Sequence, residues 1–399
     1  MRIAFVNLYW PPQLTSAAQV MAADETRREL ARALTGLGHE VHVVQEGPES
    51  TTTAVDGVTW HFHRPSIETR AGRRCLAALG HESPAVLAPA TAPLAALNRI
   101  DPDIIHSFDL VYYPSLALLG MHAQRRGVPL VAHFHGGDPA HHPLTRPIQQ
   151  FALARTDAIC FTDALRAASW PNTSGKIVSI VETSTKFQPR DRTDARRNIP
   201  ILGNPAIFCP GRLDLVKDPT TTLRGFAQVL DSLPHAHLTM AYRSETLLQE
   251  CRASANELGI SANVTFMGAL PHATMNDWIC ASDIVVQSSQ REVCGVAILE
   301  AMACGVPVVV TDIEAFRITT GGLTPRFPIG DAAGLARGIL DVVANPIDGA
   351  QLRAYFDDHL SYSAMANQLA TLYARLKSRP KKSTLGAVKA TPTTPRTGV

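Results

Sequence analysis

Short apolar runs recur along the chain, at 3–6, 40–44, 104–105, 129–133 and 158–161, and again at 206–209, 238–240, 264–266, 283–286 and 306–310. Stretches with helical spacing lie between them. The clearest, 22–37, ends at Gly38, a residue suited to a helix C-terminal cap. Uninterrupted apolar strands alternating with helices predict βαβ units and parallel sheets buried on both faces. Two such series predict two doubly wound α/β domains. The joint falls in 185–204, a polar, Arg-rich stretch containing Pro189 and Pro200. The expected division is a first domain over 1–190 and a second over 191–350. A final amphipathic helix is expected over 351–376, with Tyr355, Phe356, Leu369, Leu372 and Tyr373 as buried positions. From 377 to 399 the chain is rich in Pro, Thr, Lys and Gly, and is expected to be disordered.

At 399 residues the chain is long enough for two cores without disulfide or metal staples. Its net charge of +2 conceals an asymmetry: the last 23 residues hold six basic groups and no acid, which leaves a body of charge −4. A slightly acidic body argues against a nucleic-acid partner, which selects for a basic face. The seven cysteines are scattered, odd in number and without a Cys-x-x-Cys pair, so they read as reduced thiols and the expected compartment is the cytoplasm. The N-terminal apolar run is broken early by Pro11-Pro12, unlike a signal peptide. No apolar run is long enough for a spanning helix. Peripheral contact of the basic tail with anionic lipid stays open beside the plainer reading of a solvated end.

Two stretches carry candidate chemistry. The first is Cys209-Pro210-Gly211-Arg212-Leu213-Asp214-Leu215-Val216-Lys217-Asp218-Pro219, read as strand, loop and helix start. Asp218 suits the N-cap and Pro219 the first helical position. Arg212 and Lys217 then share one loop at the carboxyl edge of a sheet, where open α/β sheets bind ligands. A guanidinium and an ammonium so placed can clamp a diphosphate. Lys217 is one of only three lysines in residues 1–376, which makes its position in that loop unexpected. The alternative is a pair of solvated surface cations.

The second stretch runs from Glu292 through Cys294-Gly295-Val296 to Glu300, Gly305 and a buried strand. A helix is expected from about Gly295 to Gly305, with Glu300 in its early turns. A carboxylate in an apolar helix is costly unless partnered, and a helix amino end attracts anions. Backbone N–H groups at Cys294, Gly295 and Val296 are placed to meet a phosphate. Taken alone, Glu-x7-Glu is equally a capped helix with one solvated glutamate.

The ordered set (the Arg212/Lys217 loop, Val-Thr-Phe-Met-Gly-Ala-Leu-Pro-His at 264–272, Ala-Ser-Asp-Ile-Val-Val at 281–286, then Glu292-x7-Glu300-Ala-Met-Ala-Cys-Gly-Val-Pro) resembles the donor-binding domain of retaining glycosyltransferases of family 4. The resemblance is strong over 203–345 and weaker over 1–185. It implies a GT-B architecture, two Rossmann-like domains facing across a cleft. It implies a nucleoside diphosphate sugar donor held by Arg212 and Lys217, with Glu300 on the ribose and Glu292 on the transferred sugar. The loop Gly268-Ala269-Leu270 would lie against the base. His135, at the end of the strand 129–133, matches the histidine that meets the donor sugar in that family, and Asp138 is its candidate companion. A strand-end histidine bonded to backbone is the bland alternative.

The sequence departs from the family after the first strand, where a Gly-Gly loop is usual. Here Leu8 to Ala18 contain no glycine, and Ser16 or Ala17 is the candidate substitute. Tyr9-Trp10 reads equally as an acceptor platform or as packing. Cys294 stands where phenylalanine is common. The cluster His133, His135, Asp138, His141 and His142 lacks the spacing of a dinuclear hydrolase, so no metal and no cofactor is expected. The resulting expectation is a retaining, metal-independent glycosyltransferase acting on an acceptor with a free hydroxyl. Its rivals are an epimerase or phosphorylase on the same fold, or a non-catalytic nucleotide-sugar-binding protein.

Overall fold

The structure is a computed structural model that describes residues 1–11, 13–78, 87–108, 110–111, 113–136, 139–140, 142–163, 167–171, 173–183 and 185–379. Among these residues the chain builds two sheets. The first contains β1 (Arg2–Asn7), β2 (Glu40–Glu46), β3 (Thr51–Val55), β4 (Val58–His63), β5 (Ile104–Ser107), β6 (Leu130–His133), β7 (Ala158–Phe161) and β8 (Ile177–Ser179). Their order is β3-β4-β2-β1-β5-β6-β7-β8. Neighbours pair in parallel except β3 with β4, which form a hairpin. The second contains β9 (Ala206–Pro210), β10 (His237–Ala241), β11 (Val264–Gly268), β12 (Ile284–Gln287), β13 (Val308–Thr311) and β14 (Arg326–Phe327), in the order β11-β10-β9-β12-β13-β14. All of its pairs are parallel.

Side chains alternate across each strand, so each sheet has two apolar faces to cover. In β1, Ile3 and Phe5 enter one core cluster and Ala4 and Val6 another. The ten apolar runs read from the sequence all fall on strands. The β3–β4 hairpin, β8 and the two-residue β14 went unread. The hairpin turn is Asp56-Gly57, both at positive φ, a dipeptide that is itself a strong hairpin signal. The helix expected over 22–37 is two helices, Ala17–Ala23 and Glu25–Gly36. Asp24 divides them because its carboxylate accepts from the Arg27 N–H and starts the second helix.

The C-terminal helix also differs from expectation. Instead of one run over 351–376 there is a helix Gly349–Tyr355, a π-helical turn Phe356–Leu360 and, after the capping Ser361, a helix Tyr362–Lys377. Leu352, Phe356 and Leu360 pack in a core with the second sheet. Met365, Leu369, Leu372, Tyr373 and Leu376 pack in the core of the first, against Leu30 and Leu34. The chain thus returns to its first half. Lys377, expected in the tail, is helical and pairs with Asp103 at 2.9 Å. The rest of the tail from 380 lies outside the described residues.

Candidate active site

In the second sheet the strand order reverses direction between β9 and β12, which pair in parallel. Ligands of open α/β sheets bind at the carboxyl end of such a switch point. The loops after these two strands are the two stretches singled out above.

The loop after β9 is held from several sides. Pro210 O accepts from Gln287 Nε2 at 2.9 Å, and Gly211 N donates to Ala241 O at 2.9 Å. Asp214 takes the Arg212 guanidinium at 2.9 Å and the Lys217 backbone N–H at 3.0 Å. Ser288 Oγ lies 3.1 and 2.6 Å from the carbonyls of Lys217 and Asp218. Asp218, at φ +46°, caps the helix Pro219–Leu230 through the Thr221 N–H. The Arg212 side chain remains exposed, whereas the Lys217 ammonium is mostly buried and ion-paired with Glu292 Oε1.

Gly295 is the N-cap of the helix Val296–Cys304 and has φ +72°. No side chain caps this helix, which leaves its first N–H groups for an anion. Ser289 Oγ donates to Glu292 Oε1 at 2.7 Å, fixing the carboxylate beside Lys217. Glu300 is 4% exposed, and its Oε1 lies 3.3 Å from His272 Nε2. Burial pushes the Glu300 carboxyl up to about 7, against the pull of His272. His272 opens the helix His272–Ala281 and was quoted in the sequence pattern without a role.

These groups face a single cavity of about 800 Å³. Its wall includes Arg212, Lys217, Glu292, Glu300, Cys294, Gly295, Val296 and Leu270 from the second domain, and His135 from the first. Val293, in the same loop as Glu292, also packs against the apolar cluster of the first domain. Buried beside the Glu182 and Glu292 carboxylates, the Cys294 thiol is pushed well above its ordinary range and stays protonated.

Other expectations fare differently. Gly268 ends β11 at φ +76° and its carbonyl accepts from Tyr242 N, but it is not on the cavity wall. Ser16 caps the helix Ala17–Ala23 by accepting from Gln19 N at 3.2 Å, and it too is off the wall. That hydroxyl is spent locally, since an N-cap satisfies an orphan donor of its own helix. Asp138 and His141 lie outside the described residues. Among the described residues no cluster suits a metal ion. His133 and His135 do lie on one side, but their rings are tilted by 31° with centroids 4.8 Å apart, so they meet through their ring faces. Tyr9 is exposed and Trp10 packs against the first core.

Of the Arg, His and Glu side chains on the wall, four had no role in the sequence reading: Glu182, Arg243, Arg291 and His272. Glu182 follows the unread β8, and its Oε1 meets His135 Nδ1 at 2.5 Å. Arg243 lies just past the end of β10, at the same carboxyl edge of the sheet as the loop after β9.

Residues 204–345 match the family described as glycosyl transferases group 1, and residues 26–167 match glycosyltransferase family 4. The chain is 27% identical over 299 residues to D-inositol 3-phosphate glycosyltransferase 1 of Catenulispora acidiphila. That alignment takes in 66% of each chain, just under two thirds of the relative's length. Similar solved structures include a sucrose-phosphate synthase from Thermosynechococcus elongatus, with TM-score 0.64, 18% identity, and 94% of this chain and 98% of that one covered. Another is the Anabaena protein HepE in complex with UDP-glucose, with TM-score 0.61, 16% identity and coverage of 94% and 100%. At these identities the likeness concerns the fold, two parallel-sheet domains of the GT-B kind.

Proposed function

The chain belongs to the group 1 glycosyltransferases of family 4, and we propose that it moves a sugar from a nucleoside diphosphate sugar to an acceptor hydroxyl with retention of anomeric configuration. The observation that carries this reading is the convergence of Arg212, Lys217, Glu292, Glu300 and the uncapped helix start at Gly295 on one cavity.

The diphosphate lies between Arg212, Lys217 and the N–H groups that open the helix Val296–Cys304. Lys217 is at present the partner of Glu292. An incoming diphosphate draws the ammonium toward its own charge and frees the Glu292 carboxylate for hydroxyls of the sugar. Glu300, backed by His272, accepts from the ribose hydroxyls. His135 approaches the sugar from the first domain. The bond between the anomeric carbon and the phosphate oxygen breaks, and its electron pair leaves with the diphosphate. Arg212, Lys217 and the helix start stabilise that charge, already aimed where it develops. The acceptor oxygen attacks from the face the phosphate leaves, and its proton passes to the departing phosphate oxygen. No protein base is required. The described residues contain no helix long and apolar enough to cross a membrane, and we take the cytoplasm as the place of action.

The test begins with thermal shift against UDP, GDP and their hexoses, since a ligand of the folded state raises apparent stability. The hit is then incubated with acceptor alcohols and the product examined by NMR. A new glycoside of the donor's own anomeric configuration is the expected result. An inverted product overturns the mechanism. Consumption of the donor to an isomer without any acceptor makes the chain an epimerase, and a requirement for inorganic phosphate makes it a phosphorylase.

A further inference from the structure

We propose that Glu182 is a positioning residue, which fixes the orientation and tautomer of the His135 imidazole on the wall of the donor cavity. The proposal rests on the role given to His135 above.

β6 ends at His133, and Phe134 N still donates to Cys160 O at 3.0 Å, so His135 leaves the sheet from a fixed point. Its ring lies against His133, with centroids 4.8 Å apart, and against Phe108 at 5.4 Å. The column continues from His133 to His106 at 5.4 Å, and His106 Nδ1 is hydrogen-bonded to Tyr373 OH on the C-terminal helix. Ring contacts of this kind hold the plane of an imidazole. They do not choose between its two orientations, because a half-turn about the Cβ–Cγ bond exchanges nitrogen and carbon edges with almost no change of shape.

Only a polar partner makes that choice, and the hydrogen bond to Glu182 Oε1 supplies it. His135 Nε2 is buried and has no partner of its own. The bond to Nδ1 therefore sets both the orientation and the tautomer: Nδ1 carries the proton and donates it to the carboxylate. Glu182 is itself anchored, since its backbone N–H donates to Thr162 Oγ1 at 3.0 Å, just past the end of β7. Glu182 lines the same cavity as the Lys217–Glu292 pair of the second domain. A carboxylate bonded to one nitrogen of a histidine is how many sites fix the tautomer and ring orientation of a working imidazole.

The experiment uses the full chain and the variants Glu182→Ala, Glu182→Gln, His135→Ala and the Glu182→Ala/His135→Ala double variant. Turnover is read as release of nucleoside diphosphate from a panel of UDP- and GDP-hexoses. Histidine tautomers are read by ¹⁵N–¹H NMR, with His135→Ala used to assign the His135 signal. Glu182→Ala is expected to lower kcat about 10- to 100-fold, with donor KM nearly unchanged. Glu182→Gln, whose carbonyl still accepts from Nδ1, is expected to recover most of that loss. In the His135→Ala background, Glu182→Ala is expected to change kcat by less than about twofold, since groups acting as a unit are not additive. NMR is expected to show His135 protonated at Nδ1 in the unmodified chain and in Glu182→Gln, and a tautomer mixture in Glu182→Ala. Unchanged kcat in Glu182→Ala overturns the proposal, as does an Nε2-protonated His135 in the unmodified chain. An undiminished Glu182→Ala loss in the His135→Ala background also overturns it, because Glu182 then acts on substrate directly. Full activity of His135→Ala has a different meaning: it removes His135 from the donor site while the NMR still reports on its bond to Glu182.

Discussion

Lys217 and Glu292, 75 residues apart, share an ion pair at the carboxyl ends of two adjacent strands, β9 and β12. Each is mostly buried, so each is the other's main compensation until a donor arrives. Lys217→Ala is expected to lower kcat/KM by about 10²-fold or more, the scale of losing one donor to a developing oxyanion. The loss is to be measured as nucleoside diphosphate release from the donor the chain accepts. The Arg212→Ala/Lys217→Ala double variant is expected to be lower still, and full activity in it would remove both residues from the site.

Glu300 gives the nucleotide site a pH dependence. A raised carboxyl pKa means that the folded chain holds a proton the unfolded chain has released between about 4.5 and about 7. Stability contributed by this group is therefore largest below that window and is lost as pH rises through it. Nucleotide affinity runs the other way, because only the ionised carboxylate accepts from two ribose hydroxyls. Calorimetry is expected to show UDP or GDP binding tighten from pH 6 to 8. Glu300→Gln is expected to bind weakly at both ends of that range, with no such trend. His272→Ala removes the opposing pull and is expected to move the rise in affinity to higher pH.

Gly295 cannot carry a side chain. Its φ of +72° lies in the left-handed region, and a Cβ built there would overlap Phe316 Cε1. Phe316 is fully buried and has nowhere to retreat. Gly295→Ala is expected to destabilise the chain by about 1–3 kcal/mol from backbone strain alone, with the ring contact adding to it. Urea unfolding measures the total. The pairing of Gly295→Ala with Phe316→Leu is expected to restore part of the loss. No recovery at all would mean that the ring is not the obstacle.

Tyr373 ties the C-terminal helix to the first core through His106. Burial pushes His106 down to about 3, so its ring is neutral at any working pH, and its Nε2 has no partner. Tyr373→Phe keeps the volume and removes the remaining bond. The expected cost is about 1–3 kcal/mol, that of a buried polar group left unsatisfied. A change below a few tenths of a kcal/mol in chemical denaturation would show that the hydroxyl is not needed to seat the helix.

Much of this architecture could be read along the chain. The ten apolar runs became strands because a parallel strand buried on both faces must be apolar throughout. Asp218, Gly295 and Gly305 stand at helix ends because capping and positive φ are settled within a few residues. Arg212, Lys217 and Glu292 stand out in the sequence because each lies in a loop whose local pattern is distinctive, and Glu300 because it is a carboxylate in an otherwise apolar helix. Ser16 follows the same logic: its local pattern is that of an N-cap, and its hydroxyl is used there.

What the chain alone could not reveal is which of these local pieces meet. The pairing of Lys217 with Glu292 depends on β9 and β12 lying side by side, although β10 and β11 separate them in sequence. The bond between Glu182 and His135 joins positions 47 residues apart through β7 and the unread β8. His272 reaches Glu300 only because the helices His272–Ala281 and Val296–Cys304 pack together. Composition and spacing fix what a segment does with its own neighbours, since sterics and backbone hydrogen bonding act over a turn or a strand. The order of strands in a sheet, and so the company each side chain keeps, is decided by burial of the whole apolar surface at once.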